Sequence, residues 1–136
     1  MRNSKATVPS SLQLPPACIS CGRKLTLRAR WRGIEEKVKY CSEACRRRRI
    51  RPVDRELEHA IQRLLDQRSP TGSICPSEAA RHVAVGRGAN WRELMEPARR
   101  AARRLVHAGM VEIVQRGRVV DPSAFRGPIR IRGRTP

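Results

Sequence analysis

Four of the five cysteines in this 136-residue chain fall in two close pairs, Cys18/Cys21 and Cys41/Cys45. The pattern is C-x2-C, an interval of 19 residues, then C-x3-C. A C-x2-C pair turns as a knuckle that offers two thiolates to one ion, and two such pairs close a tetrahedral site of the structural zinc kind. Gly22, directly after Cys21, suits the knuckle because that turn needs a residue that tolerates positive φ. Four thiolates leave no position for a catalytic water, so one Zn2+ held by Cys18, Cys21, Cys41 and Cys45 would stabilise rather than catalyse. Two rival chemistries fit less well. Paired disulfides conflict with the opening MRNSKATVPSSLQLPPA, which lacks the apolar core of a secretory signal. A redox C-x2-C needs a βαβ setting that the sequence does not offer. Cys75, alone in SICPSE, reads as a buried small hydrophobe.

The elements that must position these thiols can be read from the residues between and after them. In LTLRARWRGIEEKVKY, Leu25, Leu27 and Ala29 alternate on one short strand and Val38 and Tyr40 on another, with Gly33 near the bend. Ser42, Glu43 and Ala44 suit the cap and first turn of a short helix, closed by Pro52. Knuckle, hairpin and cysteines at a helix start form a treble-clef or zinc-ribbon order. The helix carries Arg46, Arg47, Arg48 and Arg49, a candidate phosphate clamp that is also the junction with the second half of the chain.

Beyond Pro52 the apolar residues recur with helical period. Leu57, Ala60, Ile61, Leu64 and Leu65 line one face of a helix over about Asp54 to Arg68, with Asp54 as cap. Ser73 to Cys75 is a short extended piece, and Pro76 or Ser77 begins a second helix through Ala79, Ala80 and Val83. Asn90 caps a third, whose apolar face is Trp91, Leu94, Met95, Ala98, Ala101, Ala102 and Leu105. Pro97 kinks that helix or makes its regular part begin near Glu96, and Gly109 closes it. Met110 to Gln115 and Arg118 to Val120 then form a hairpin around Arg116-Gly117. This order predicts a winged helix-turn-helix whose hairpin is the wing.

The expected fold class is therefore α+β: a disordered arm (1–16), a four-cysteine zinc module (17–52), a winged helix-turn-helix (53–121) and a basic tail (122–136). In the tail, Ile129 and Ile131 alternate with Arg130 and Arg132. It is either a short strand added to the hairpin edge or a flexible basic arm that enters a minor groove.

The formal charge of +18, from 30 Lys plus Arg against 12 Asp plus Glu, makes polyanions the expected partners. In helix-turn-helix proteins the later helix lies in the major groove. Here Arg92, Arg99 and Arg103 cluster on one flank of that helix, Arg100 and Arg104 lie further around, and Arg116 and Arg118 sit at the wing tip. The competing reading is a charged solvent face. The expectation is a non-enzymatic protein that binds nucleic acid, with duplex DNA favoured and transcriptional regulation as its use. An RNA- or ribosome-associated zinc protein and a protein-interaction adaptor are the alternatives, and few aromatics argue against single-strand stacking. No carboxylate pair, Gly-rich phosphate loop or open metal site points to an enzyme. His59, His82 and His107 are scattered over separate helices. No apolar run of about 20 residues suggests a membrane span, so a cytoplasmic place is expected, at the nucleoid if DNA is bound.

Two resemblances support this division. SICPSEAARHV, NWRELM, VEIVQRGRVVDP and RGPIRIR together resemble an uncharacterised bacterial winged-helix domain family, over about residues 53 to 134. CISCGRKL, RARW and VKYCSEACRRR resemble a small bacterial four-cysteine zinc-finger family of unknown function. The resemblances imply a winged helix and a finger with Cys18, Cys21, Cys41 and Cys45 as ligands, and carry no catalytic residue onto the chain.

Overall fold

Two apolar clusters organise residues 16–26, 33 and 37–134, which the computed structural model describes. The smaller gathers Cys18, Cys21, Leu25 and Cys45, with Val38, Tyr40 and Cys41 packed against them. In the knuckle, Cys18 N–H donates to Arg23 O (2.8 Å) and Gly22 N–H to Cys18 O (2.9 Å), while Ala17 and Lys24 form an antiparallel bridge. Leu27, Ala29 and Trp31 of the expected hairpin lie outside the described residues, as do 1–15 of the arm. Val38 and Tyr40 contribute to the cluster without forming a strand. Helix α1, Glu43–Arg48, starts at Ser42, whose Oγ accepts from Cys45 N–H (3.2 Å), and stops at Arg49, whose φ of 57° ends the helical path.

Helix α2, Pro52–Asp66, begins two residues before the expected start. Pro52 occupies the first helical position, where a missing N–H costs nothing. Asp54 consequently sits in the first turn rather than at the cap, and its Oδ2 accepts from Arg51 N–H at 2.7 Å. Strand β1, Ser73–Ile74, leads to α3, Pro76–Arg87. Cys75 is half-buried at the start of α3, not enclosed in the core, and its N–H donates to Glu78 (2.8 Å). Asn90 Oδ1 accepts from Arg92 N–H (3.0 Å) to open a 3-10 turn, Trp91–Leu94, and α4 comes next as Met95–His107. Pro97 falls within the first turn of α4, where backbone N–H groups have no helical partner anyway.

The sheet has the order β1-β4-β2-β3 and is antiparallel throughout. Strand β2, Val111–Gln115, turns into β3, Arg118–Val119, through Arg116 (φ 52°) and Gly117 (φ 79°), the two left-handed residues of a tight hairpin. Strand β4, Arg130–Gly133, lies between β1 and β2, with Ile131 opposite both Ile74 and Ile113. The C-terminal stretch is thus a strand added to the hairpin edge and not an arm, and β1 on its other side makes it central to the sheet. A boundary at 121/122 would cut through the sheet. Ile129 and Ile131 supply its inward face and join Leu57, Ile61, Ala98, Ala101 and Leu105 in the larger cluster.

Candidate metal centre and its arginine bed

The four sulfurs of Cys18, Cys21, Cys41 and Cys45 all lie within 4.8 Å of one another. Cys21 to Cys41 and Cys41 to Cys45 are each 3.6 Å. A tetrahedral ion with metal–sulfur bonds of about 2.3 Å sets its thiolates roughly 3.8 Å apart, so the cluster has the size and donor set to hold one metal ion. Donation from the Cys21 thiol holds Cys18 down at about 4, against the effect of burial. The same contact, with burial, pushes Cys21 up, and burial chiefly raises Cys41. The thiols alone therefore share protons, and a bound cation would displace them.

This cluster rests on α4. Gly22 lies against the backbone of that helix at Arg103 and Arg104. Ser20, fully buried between Cys18 and Cys21, joins three elements. Its Oγ donates to Arg49 O (2.7 Å) and accepts from Arg100 Nη2 (2.6 Å), and its carbonyl accepts from Arg104 Nη1 (2.6 Å). Arg100 Nη2 also reaches Cys45 Sγ at 3.4 Å, a donor to sulfur that would temper thiolate charge at the centre. Arg104 is completed by Glu58 (2.6 Å) from α2, and Lys24 N–H donates to Ser123 Oγ (2.8 Å) from the segment after β3. At the chain junction, Arg48 donates to both oxygens of the buried Asp54, at 2.7 and 3.0 Å.

The arginines singled out by sequence therefore divide into two sets. The expected common solvent face of α4 does not form. Arg103 is 2% exposed, and Arg100 and Arg104 turn beneath the finger, because the flank beside the apolar stripe is the surface that the finger covers. Arg48 faces inward to Asp54. Arg46 and Arg47 remain largely exposed beside Glu43, and Arg49 is exposed. Arg92 is exposed, with its guanidinium 4.7 Å from the Trp91 ring, and Arg99 is half-buried near Glu96 (3.7 Å). Arg116 and Arg118 stand out at the hairpin. Ser20, Glu58 and Ser123 are not among the residues that the sequence singles out. Glu58 had a signal, as it lies four residues after Asp54 and beside Leu57 and Ile61, where a carboxylate at the margin of an apolar face asks for an internal partner. Ser20 had none.

The molecule is a mixed α+β protein with a largely buried four-cysteine cluster set on its helical layer. By the match of a family model to residues 54–134, the chain belongs to the family described as "Protein of unknown function (DUF3253)". Residues 11–48 match the family described as "Uncharacterized protein conserved in bacteria (DUF2256)". A search of curated proteins finds no match. Among the described residues, no helix is long and apolar enough to cross a membrane.

Proposed function

We propose that this protein binds nucleic acid, with duplex DNA preferred, without catalysing a reaction, and that its cysteine cluster holds one structural Zn2+. The observation that carries the reading is how the charges are spent. Asp54, Glu56, Glu58, Glu78, Glu96 and Glu112 are all engaged in ion pairs with arginines of the fold. The net positive charge, +18 from the sequence and two lower with four thiolates around one Zn2+, is thereby left to other cations, among them the outward Arg49, Arg92, Arg116 and Arg118. The order helix, strand, helix, helix, strand and returning strand supports a winged-helix reading, with residues 116–129 as an enlarged wing between β2 and β4. With Arg100, Arg103 and Arg104 under the finger, phosphate contact would come from the finger helix, Arg92 and the hairpin.

The test is anisotropy with a labelled duplex of about 20 base pairs and an RNA hairpin over a salt series. Log affinity should fall steeply with log salt, and Arg46→Gln/Arg47→Gln and Arg116→Gln/Arg118→Gln should each reduce the slope by about two. Arg48 is left intact because its change would break the buried pair with Asp54. A flat salt response would sink the proposal, and tighter binding of the hairpin would move it to RNA.

A further inference from the structure

Beside the metal centre, a cleft of about 550 Å³ opens between the knuckle, the start of α4 and the segment leading into β4. Among the described residues, three guanidinium groups line it, Arg23 from the finger and Arg99 and Arg103 from α4, against one carboxylate, Glu96. That carboxylate is divided between two of them. Its Oε1 lies 3.7 Å from Arg99, and its Oε2 lies 3.2 and 3.5 Å from the two terminal nitrogens of Arg103. Glu96 is about half exposed, so water screens it, whereas Arg103 is buried and its Nε has no hydrogen-bond partner among the described residues. A buried cation with an unmade donor is costly, and an added anion would relieve that cost. The remaining wall is apolar, formed by Met95, Phe125 and Ile129, and the Phe125 ring centre is 5.4 Å from the Arg103 guanidinium.

We propose that this cleft binds a small organic anion, its carboxylate or phosphate head at Arg23, Arg99 and Arg103 and its apolar or aromatic body against Met95, Phe125 and Ile129. The volume is that of an ordinary small-molecule site, and an apolar wall with a few convergent charges is the usual construction of one. The head competes with Glu96 for the arginines, so Glu96 sets the affinity and favours the more highly charged head. Because the cleft is walled by the finger, α4 and the segment before β4 together, its occupant would hold these three parts to one another. This inference stands apart from the nucleic-acid reading, which rests on the outward arginines of the finger helix, Arg92 and the hairpin.

The test is a backbone amide NMR titration of the full-length, metal-loaded protein with phenyl phosphate and with benzoate, using inorganic phosphate and benzyl alcohol as head-only and body-only probes. Phenyl phosphate and benzoate should shift Met95, Phe125 and Ile129, and the two partial probes should bind at least about tenfold more weakly. Arg99→Gln and Arg23→Gln should each weaken phenyl phosphate by about tenfold, while Glu96→Gln should strengthen it severalfold. Spectra outside the cleft report whether each variant is folded, and Arg23→Gln alters an exposed side chain should Arg99→Gln disturb α4. Shifts confined to the finger helix or hairpin, equal binding of inorganic phosphate, or unchanged affinity in both arginine variants would overturn the proposal. So would displacement of phenyl phosphate by a short DNA duplex, which would make the cleft part of a nucleic-acid surface.

Discussion

Gly22 has a φ of 79°, and a Cβ built on it would lie 2.5 Å from Arg103 Cβ and 2.6 Å from Arg104 N. Two requirements therefore meet at one residue: a left-handed turn for the knuckle and a backbone bare enough for α4 to approach. Gly22→Ala must either push the finger off α4 or distort the turn, and should cost about 3 kcal/mol, the sum of left-handed strain and overpacking. Gly117 is the natural control. Its φ is also 79°, but nothing lies within 4 Å of its added Cβ, so Gly117→Ala should cost only about 1 kcal/mol. Thermal unfolding of the two variants at equal metal content measures the difference, and equal losses would show that α4 does not press on the knuckle. The turn was legible in C-x2-C-G, whereas the close approach was not, because the atoms that forbid a Cβ stand some 80 residues further along the chain.

Between elements, the clearest coupling is the short passage from α1 to α2. Burial pushes Asp54 up, but the paired donors of Arg48, the Arg51 N–H and the charges of Arg48 and Arg104 outweigh it and hold the carboxyl below its ordinary value of 3.8. A carboxylate with a lowered folded value contributes stability that is fully present above its unfolded value and is lost as pH falls through the folded one. Asp54→Asn should accordingly cost about 3 kcal/mol at neutral pH, since it leaves Arg48 without its counter-ion. In urea unfolding the gap from the parent should shrink once pH drops below 3.8, and a gap independent of pH would assign the loss to packing instead. Glu43 with Arg46 and Arg47 on the outer face of α1 is exposed and should contribute little. At this scale most of the helices and the hairpin could be read from period, caps and breakers. The hairpin-edge place of β4 was one of the two readings of the tail, but its pairing with β1 was not legible, because Ile131 meets Ile74 across a long stretch of chain and alternation alone does not say where a strand pairs.

For the whole molecule, the finger and the larger apolar cluster are joined through polar contacts, and these are what a metal would control. The core of α2, α3, α4 and the sheet contains none of the four clustered cysteines, so it has an apolar basis of its own. Among the described residues of the finger, Leu25, Val38 and Tyr40 are the apolar side chains packed with its thiols, so its fold is expected to depend on a bound ion. The two family segments were legible in sequence; their docking was not, since the arginines of α4 look equally suited to solvent, to phosphate or to a second module. Chelation should therefore act in two layers. Hydrogen exchange should rise sharply across the finger and at the ends of α1, and more modestly in α4 around Arg100 to Arg104, while Ile74, Ile113 and Ile131 stay protected. The unfolding temperature should drop by at least about 5 °C, because an ion that binds only the folded finger stabilises the docked state by mass action. Global loss of protection would mean that the larger core depends on the finger to fold. Unchanged exchange throughout α4 would mean that the contacts of Ser20, Gly22 and Arg100 do not transmit the state of the cysteine cluster to the helix.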